Sequence, residues 1–119
     1  MSPQSTVLKW DLLRSIASSG VSSSYATVGT KFTFPARIVK IVNNSNEDAT
    51  VSIDGVNDYD YVPAGGFSLY DLGTNRGNSS PEAAFAQGTQ ISVKGTSGSG
   101  NIYVVVIYAY TPANTIPGV

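Results

Sequence analysis

Cysteine and histidine are both absent from this chain of 119 residues, and each absence removes a class of chemistry. Without cysteine there is no disulfide, no thiolate nucleophile and no soft metal ligand, and the redox compartment is left open. Without histidine the usual base that activates a serine nucleophile is missing, and no Ser-x-x-Lys spacing replaces it. Charge is scarce as well: 13% of residues are charged, against about 25% in an ordinary globular chain. Seven basic and eight acidic residues give a net charge of −1, and the basic ones are scattered. So weak a field leaves little to steer a nucleic acid, and no nucleic-acid partner is expected. The longest apolar run, Ile102 to Tyr110, falls short of the roughly 20 residues of a membrane-spanning helix. Neither a membrane partner nor a secretory signal is expected, because Met1-Ser2-Pro3-Gln4 carries no basic start.

What is present reads as strands and turns. In Arg37 to Val42, Ile38, Lys40 and Val42 share one face while Arg37, Val39 and Ile41 share the other, the period-2 signature of a strand. Asn43-Asn44-Ser45-Asn46 reads as a turn, since Asn tolerates positive φ and bonds its own backbone. Thr50 to Asp54 alternates again, with Val51 and Ile53 expected inward, and Asp54-Gly55 turns the chain. Phe67 to Leu72 and Thr89 to Lys94 add strands, the latter with Ile91 and Val93 inward and Ser92 and Lys94 outward. Gly95 to Gly100 links that strand to Ile102–Tyr110, which is apolar on both faces and so belongs at a sheet centre or a subunit interface. The architecture expected is an all-β antiparallel sandwich with extended arms at both ends. Residues 1–12 form an N-terminal arm, 13–110 the domain and 111–119 a C-terminal tail. Leu8, Leu12 and Ile16 also fit a short helix, but an extended arm passing into a strand near Leu13 is preferred because Ser18 to Ser24 is a poor helix continuation. Residues 73–87 read as a long loop, with one helical turn at Pro81.

Few groups here could carry chemistry. Asp54, Asp58 and Asp60 could offer oxygens to a calcium ion, but their spacing does not match a helical calcium loop, and solvated turn residues are the simpler reading. Paired acids (Asp58 with Asp60, or Asp54 with Asp71) meet the minimum for glycoside cleavage. That chemistry also needs an apolar cleft that raises one pKa, and nothing in so short a chain predicts one. No enzyme activity, cofactor or resident metal is expected. Near-zero net charge is poor for keeping molecules apart, which points to a homo-oligomer. The candidate interface residues are Trp10, Arg14, Arg76, Tyr103, Tyr108 and Tyr110. The alternative is a carbohydrate-binding module that stacks Tyr59, Tyr61 and Tyr70 on sugar rings.

One resemblance runs from about residue 12 to 110. Leu13-Arg14-Ser15-Ile16, Val28-Gly29-Thr30, Pro35 to Asn44, Ser52-Ile53-Asp54-Gly55-Val56-Asn57-Asp58-Tyr59, Val62-Pro63-Ala64-Gly65, Leu69-Tyr70-Asp71 with Thr74-Asn75, Gly88 to Lys94 and Val104 to Ala109 together resemble small virion structural proteins of tailed bacteriophages. The resemblance implies a β-sandwich or jelly-roll subunit, jelly-roll-like in its all-β antiparallel form, with an extended terminal arm, either a capsid decoration (cement) protein or a neck or tail component. It implies other virion proteins as partners and a place in the virion after synthesis in the host cytoplasm. Residues 1–11 and the tail from Thr111 lie outside it.

Overall fold

The computed structural model describes residues 7–72 and 84–110. Among these residues are nine strands: β1 (Val7–Trp10), β2 (Arg14–Ala17), β3 (Ala26–Thr27), β4 (Ala36–Ser45), β5 (Ala49–Ser52), β6 (Asp60–Val62), β7 (Phe67–Asp71), β8 (Ser92–Gly95) and β9 (Gly100–Tyr110). A single 3-10 turn, Ser18–Gly20, follows β2. Among the described residues no helix is long and apolar enough to cross a membrane.

The strands form two antiparallel sheets. The first has five strands in the order β1-β9-β4-β7, with β2 also on β9, and the second has four in the order β3-β8-β5-β6. Only β5 and β6 are chain neighbours within one sheet and paired to each other. Every later or earlier step from β2 onward crosses between the sheets. With β1 and β2 read as one interrupted strand, that is the winding of a jelly roll.

Both β1 and β2 pair with β9, at Val7↔Tyr110 through Trp10↔Ile107 and at Arg14↔Val104 through Ala17↔Asn101. Between them Asp11 N–H still donates to the Val106 carbonyl at 2.8 Å. The helical spacing of Leu8, Leu12 and Ile16 is therefore overridden by long-range pairing, and the extended reading holds. The apolar strand β9 lies between β4 and the β1/β2 edge, with Ile102, Val104 and Val106 buried in the core and Tyr103, Val105 and Ile107 on the outer face.

The core lies between the sheets. Val39 and Ile41 of β4 and Ile102, Val104 and Val106 of β9 meet Val51, Val62 and Val93 of the second sheet, with Phe32 closing one end. A bulge between Ala36 and Ile38 lets Ala36 and Val39 both be buried, despite an odd spacing that would put them on opposite faces.

Two polar side chains are built into this core. Asn43, expected in a turn, is buried near the end of β4, and the strand runs on to Ser45. Its amide donates to the Glu47 carbonyl at 2.8 Å and to the Val62 carbonyl at 3.0 Å, joining the two sheets. Arg14 is buried and donates to the carbonyls of Thr30, Leu12 and Lys31 at 2.6–2.7 Å, with Asp11 at 3.3 Å. Gly29, at φ +67, passes so close that a Cβ there would lie 2.7 Å from the Arg14 Cβ. Only glycine satisfies both the backbone angle and the contact.

Candidate functional site

The two sheets expose different outer faces, and pairing register decides what each carries. On the first sheet, Val39 and Ile41 turn inward, so Ile38, Lys40 and Val42 turn out. Their partners across the sheet are Ile107, Val105 and Tyr103 on one side and Asp71, Leu69 and Phe67 on the other. Trp10 pairs with Ile107 and extends the same face to the β1 edge. Trp10 is 75% exposed, Phe67 61% and Leu69 54%. Lys40 is the charge at the centre of this face, and its ammonium sits 5.5 Å from the Phe67 ring centroid. Its stem therefore covers apolar surface and adds little repulsion to it.

Of the candidate interface residues, Trp10 and Tyr103 lie on this face. Tyr108 and Tyr110 pair with Lys9 and Val7 and project from the opposite side of the ribbon. Tyr108 stacks on Phe34 at 4.1 Å, and Tyr110 carries the Lys9 ammonium at 4.5 Å. Arg14 is not an interface residue: its guanidinium is enclosed within the protomer by backbone carbonyls. Arg76 lies outside the described residues, as does the turn expected at Pro81. Phe67 and Leu69 were not singled out from the sequence, although their alternation with Ser68 and Tyr70 held the signal.

The second sheet presents Thr27, Ser92 and Ser52 in one row, and Lys94, Thr50 and Tyr61 in the next. Its acids are tied to tyrosine hydroxyls. Tyr61 donates to Asp48 at 2.6 Å and Tyr59 to Asp54 at 3.0 Å, while Tyr25 bonds Asp58 and Tyr70 bonds Asp60. Asp54 also accepts the N–H groups of Asn57 and Val56 at 2.9 Å, which hold its carboxyl far below the usual range. The Tyr61 hydroxyl and the Ala64 N–H lower Asp48, and Tyr25 and Lys94 lower Asp58. Burial pushes Asp60 up, but bonds from Tyr70, Tyr61 and Ser68 outweigh it and leave the carboxyl lowered. Burial and the adjoining carboxylates push Tyr25 and Tyr70 up to about 12.

This arrangement bears on both acid-based readings. A glycosidase acid needs a raised pKa, whereas Asp54, Asp58 and Asp60 are all lowered. A calcium site needs oxygens that converge on one point, and no group of three possible metal-ligating side chains occurs among the described residues.

The tyrosine triad is divided. Tyr59 and Tyr61 are 58% and 55% exposed, but Tyr70 turns inward, with its ring edge-on to Phe85 at 5.7 Å. Ile53 is exposed where an inward position was expected, because β5 ends at Ser52. Ser92 turns outward as expected, but into a cleft between neighbouring loops that buries it. No known protein family, characterised protein or solved structure matches this chain.

Proposed function

We propose that this protein is a non-enzymatic structural subunit of a tailed-phage particle that assembles through the outer face of its five-stranded sheet. The observation that carries the reading is that face itself, where Trp10, Phe67, Leu69 and Ile107 are gathered with Lys40 as the central charge. Scattered exposed apolar residues are ordinary, but a contiguous apolar face is characteristic of a protein–protein contact. The natural occupant is a further copy of the chain. Its net charge of −1 offers little electrostatic resistance to self-association, and many copies turn weak contacts into firm attachment.

The phage assignment rests on the residue pattern that resembles small virion proteins, and the jelly-roll winding agrees with it as fold-level analogy. A head decoration or cement subunit is preferred, and a neck or tail ring is the other position within the same reading. As a cement, the subunit would lay Phe67, Leu69 and Trp10 across a seam and resist separation through many small contacts.

Light scattering behind a sizing column, over a range of protein concentrations, tests the assembly step. The expected result is a discrete closed oligomer whose mass is a whole multiple of the 12.4 kDa chain. A monomer at every concentration contradicts self-assembly.

A further inference from the structure

A cleft of about 350 Å³ opens on the outer side of the second sheet, away from the apolar face, between β3, β8 and the loop after β5. We propose that this cleft, floored by Ser92 and walled by Tyr25, Lys31 and Gln90, is a saccharide-binding site that takes one pyranose ring. Its volume lies at the lower end of the roughly 300–1,000 Å³ usual for small-molecule sites.

The floor carries the argument. Ser92 is 5% exposed, and its hydroxyl has no hydrogen-bond partner among the described residues. No buried side-chain polar atom is left both sealed and unpaired, so this hydroxyl must reach the cleft. Its neighbour Ser52 shows the contrast. That hydroxyl donates to Asp54 at 2.8 Å and accepts from the N–H groups of Asp54 and Gly55. The Ser92 hydroxyl, open to the cleft and not engaged by the protein, is free both to donate to and to accept from a ligand.

The remaining lining groups match the chemistry of a sugar. The Gln90 amide donates to the Gly29 carbonyl at 2.7 Å, which fixes the side chain and leaves its carbonyl oxygen to accept. Thr89 donates to the Ala86 carbonyl at 2.7 Å and keeps its lone pairs. Thr27 contributes a hydroxyl beside Ser92. The Tyr25 ring is held by its bond to Asp58 and by the Lys94 ammonium 4.8 Å from its centroid, giving a fixed aromatic wall for sugar C–H groups. The Asp54 carboxylate also lines the cleft, but it already accepts bonds from Ser52, Val56, Asn57 and Tyr59. With Lys31 opposite, the charges balance, which favours a neutral polyhydroxylated ligand over a phosphate or a cation.

The test is an amide chemical-shift titration of the full chain with glucose, galactose and N-acetylglucosamine, run beside a glycan array that presents the same sugars in chains. The expected result is a set of shifts confined to Thr27, Lys31 and Thr89 to Val93. Response to both formats identifies a single-ring site, and response to the array alone identifies a site that needs the chain. Ser92→Val, which removes the hydroxyl and fills the floor, is expected to weaken binding about tenfold or more, as loss of one or two hydrogen bonds would. Gln90→Ala, farther from the core, is the second variant and should weaken binding without moving the melting temperature. No shift with any sugar in either format overturns the proposal, as do shifts confined to Tyr59 and Tyr61 or Ser92→Val and Gln90→Ala binding like the parent chain. The cleft and the assembly face lie on different sheets, so either reading can fail without the other.

Discussion

The outer face of the five-stranded sheet presents Trp10, Ile107, Leu69 and Phe67, whereas that of the four-stranded sheet presents Tyr61, Thr50 and Lys94. Both faces belong to antiparallel sheets over one shared core, so fold does not explain the contrast. A sandwich of this kind normally turns polar residues outward on both sides. The second sheet obeys, and its rings are anchored by carboxylates at the hydroxyl end. The first sheet departs from the rule across its middle, from Trp10 to Phe67, with Lys40 lying over a phenylalanine and Asp71, Ser15, Asn44 and Asn101 at the margins. The difference in surface chemistry is what our proposal rests on: an apolar face offered to neighbouring copies and a polar one left in water.

The comparison can be broken most forcefully at Arg14. This side chain joins the β1/β2 edge of the first sheet to the backbone at residues 30 and 31 through two short bonds, with a third to the Leu12 carbonyl. Arg14→Met is expected to lose about 3 kcal/mol or more, because carbonyls and Asp11 are left without their buried partner. Chemical denaturation measures the loss. It should be accompanied by weaker self-association, since Trp10 lies on the released edge.

Asn43 comes next. Asn43→Leu removes its bond across to Val62 and its bond to the Glu47 loop carbonyl and is expected to cost about 1–3 kcal/mol, read from the denaturant midpoint at unchanged slope. This loss should strike both faces equally, in contrast to Arg14.

Substitution on the faces themselves should separate assembly from stability. Phe67→Glu with Leu69→Lys is expected to weaken self-association at least tenfold, about 1.4 kcal/mol. Folding stability of the isolated chain should move by no more than about 0.5 kcal/mol, as at other exposed sites. Sedimentation equilibrium and thermal melts report the two quantities separately.

The second face should instead reveal itself through pH. Ionised Asp54, held far below the usual carboxylate range, contributes stability that is present above about pH 4. That stability is lost as pH falls towards the folded pKa, and Asp54→Asn should flatten this acid limb of a melting-temperature profile. Tyr25 and Tyr70, pushed up to about 12, act in the opposite direction. Their contribution is full below the unfolded value near pH 10 and is lost as pH rises through about 12. Tyr70→Phe should blunt the alkaline limb. The smallest effect belongs to Tyr61→Phe, an exposed pair with Asp48, with a scarcely changed melting temperature and no change in oligomer mass.

Much of the fold was legible because the core strands alternate cleanly. Val39 and Ile41 against Ile38, Lys40 and Val42 predicted the inner and outer faces of β4, and the two-sided Ile102–Tyr110 run predicted a central strand. What escaped depends on contacts distant in sequence. Leu8, Leu12 and Ile16 fit a helical period, and only the pairing of Leu8 and Ile16 with β9 on either side of Leu12 makes the segment extended. Asn43 has turn chemistry in isolation and becomes a buried brace only when Val62 is brought beside it.

The candidate site was legible in part. Trp10 and Tyr103 fall on the apolar face, but Arg14 reads as a surface charge until residues 30 and 31 enclose it. Tyr70 shares a sequence pattern with Tyr59 and Tyr61, yet its strand belongs to the other sheet and its ring turns inward. Ser92 alternates as an outward residue, and it is one. No local signal shows that the loops on either side would bury it.

The most direct test of the contrast compares two double variants by light scattering across a concentration series. One is Phe67→Glu with Leu69→Lys on the first face, the other Tyr59→Ser with Tyr61→Ser on the second. The account predicts that the first falls to the 12.4 kDa monomer while the second keeps the oligomeric mass of the parent chain. Equal loss of assembly in both, or loss in the second alone, would contradict the assignment of assembly to the apolar sheet.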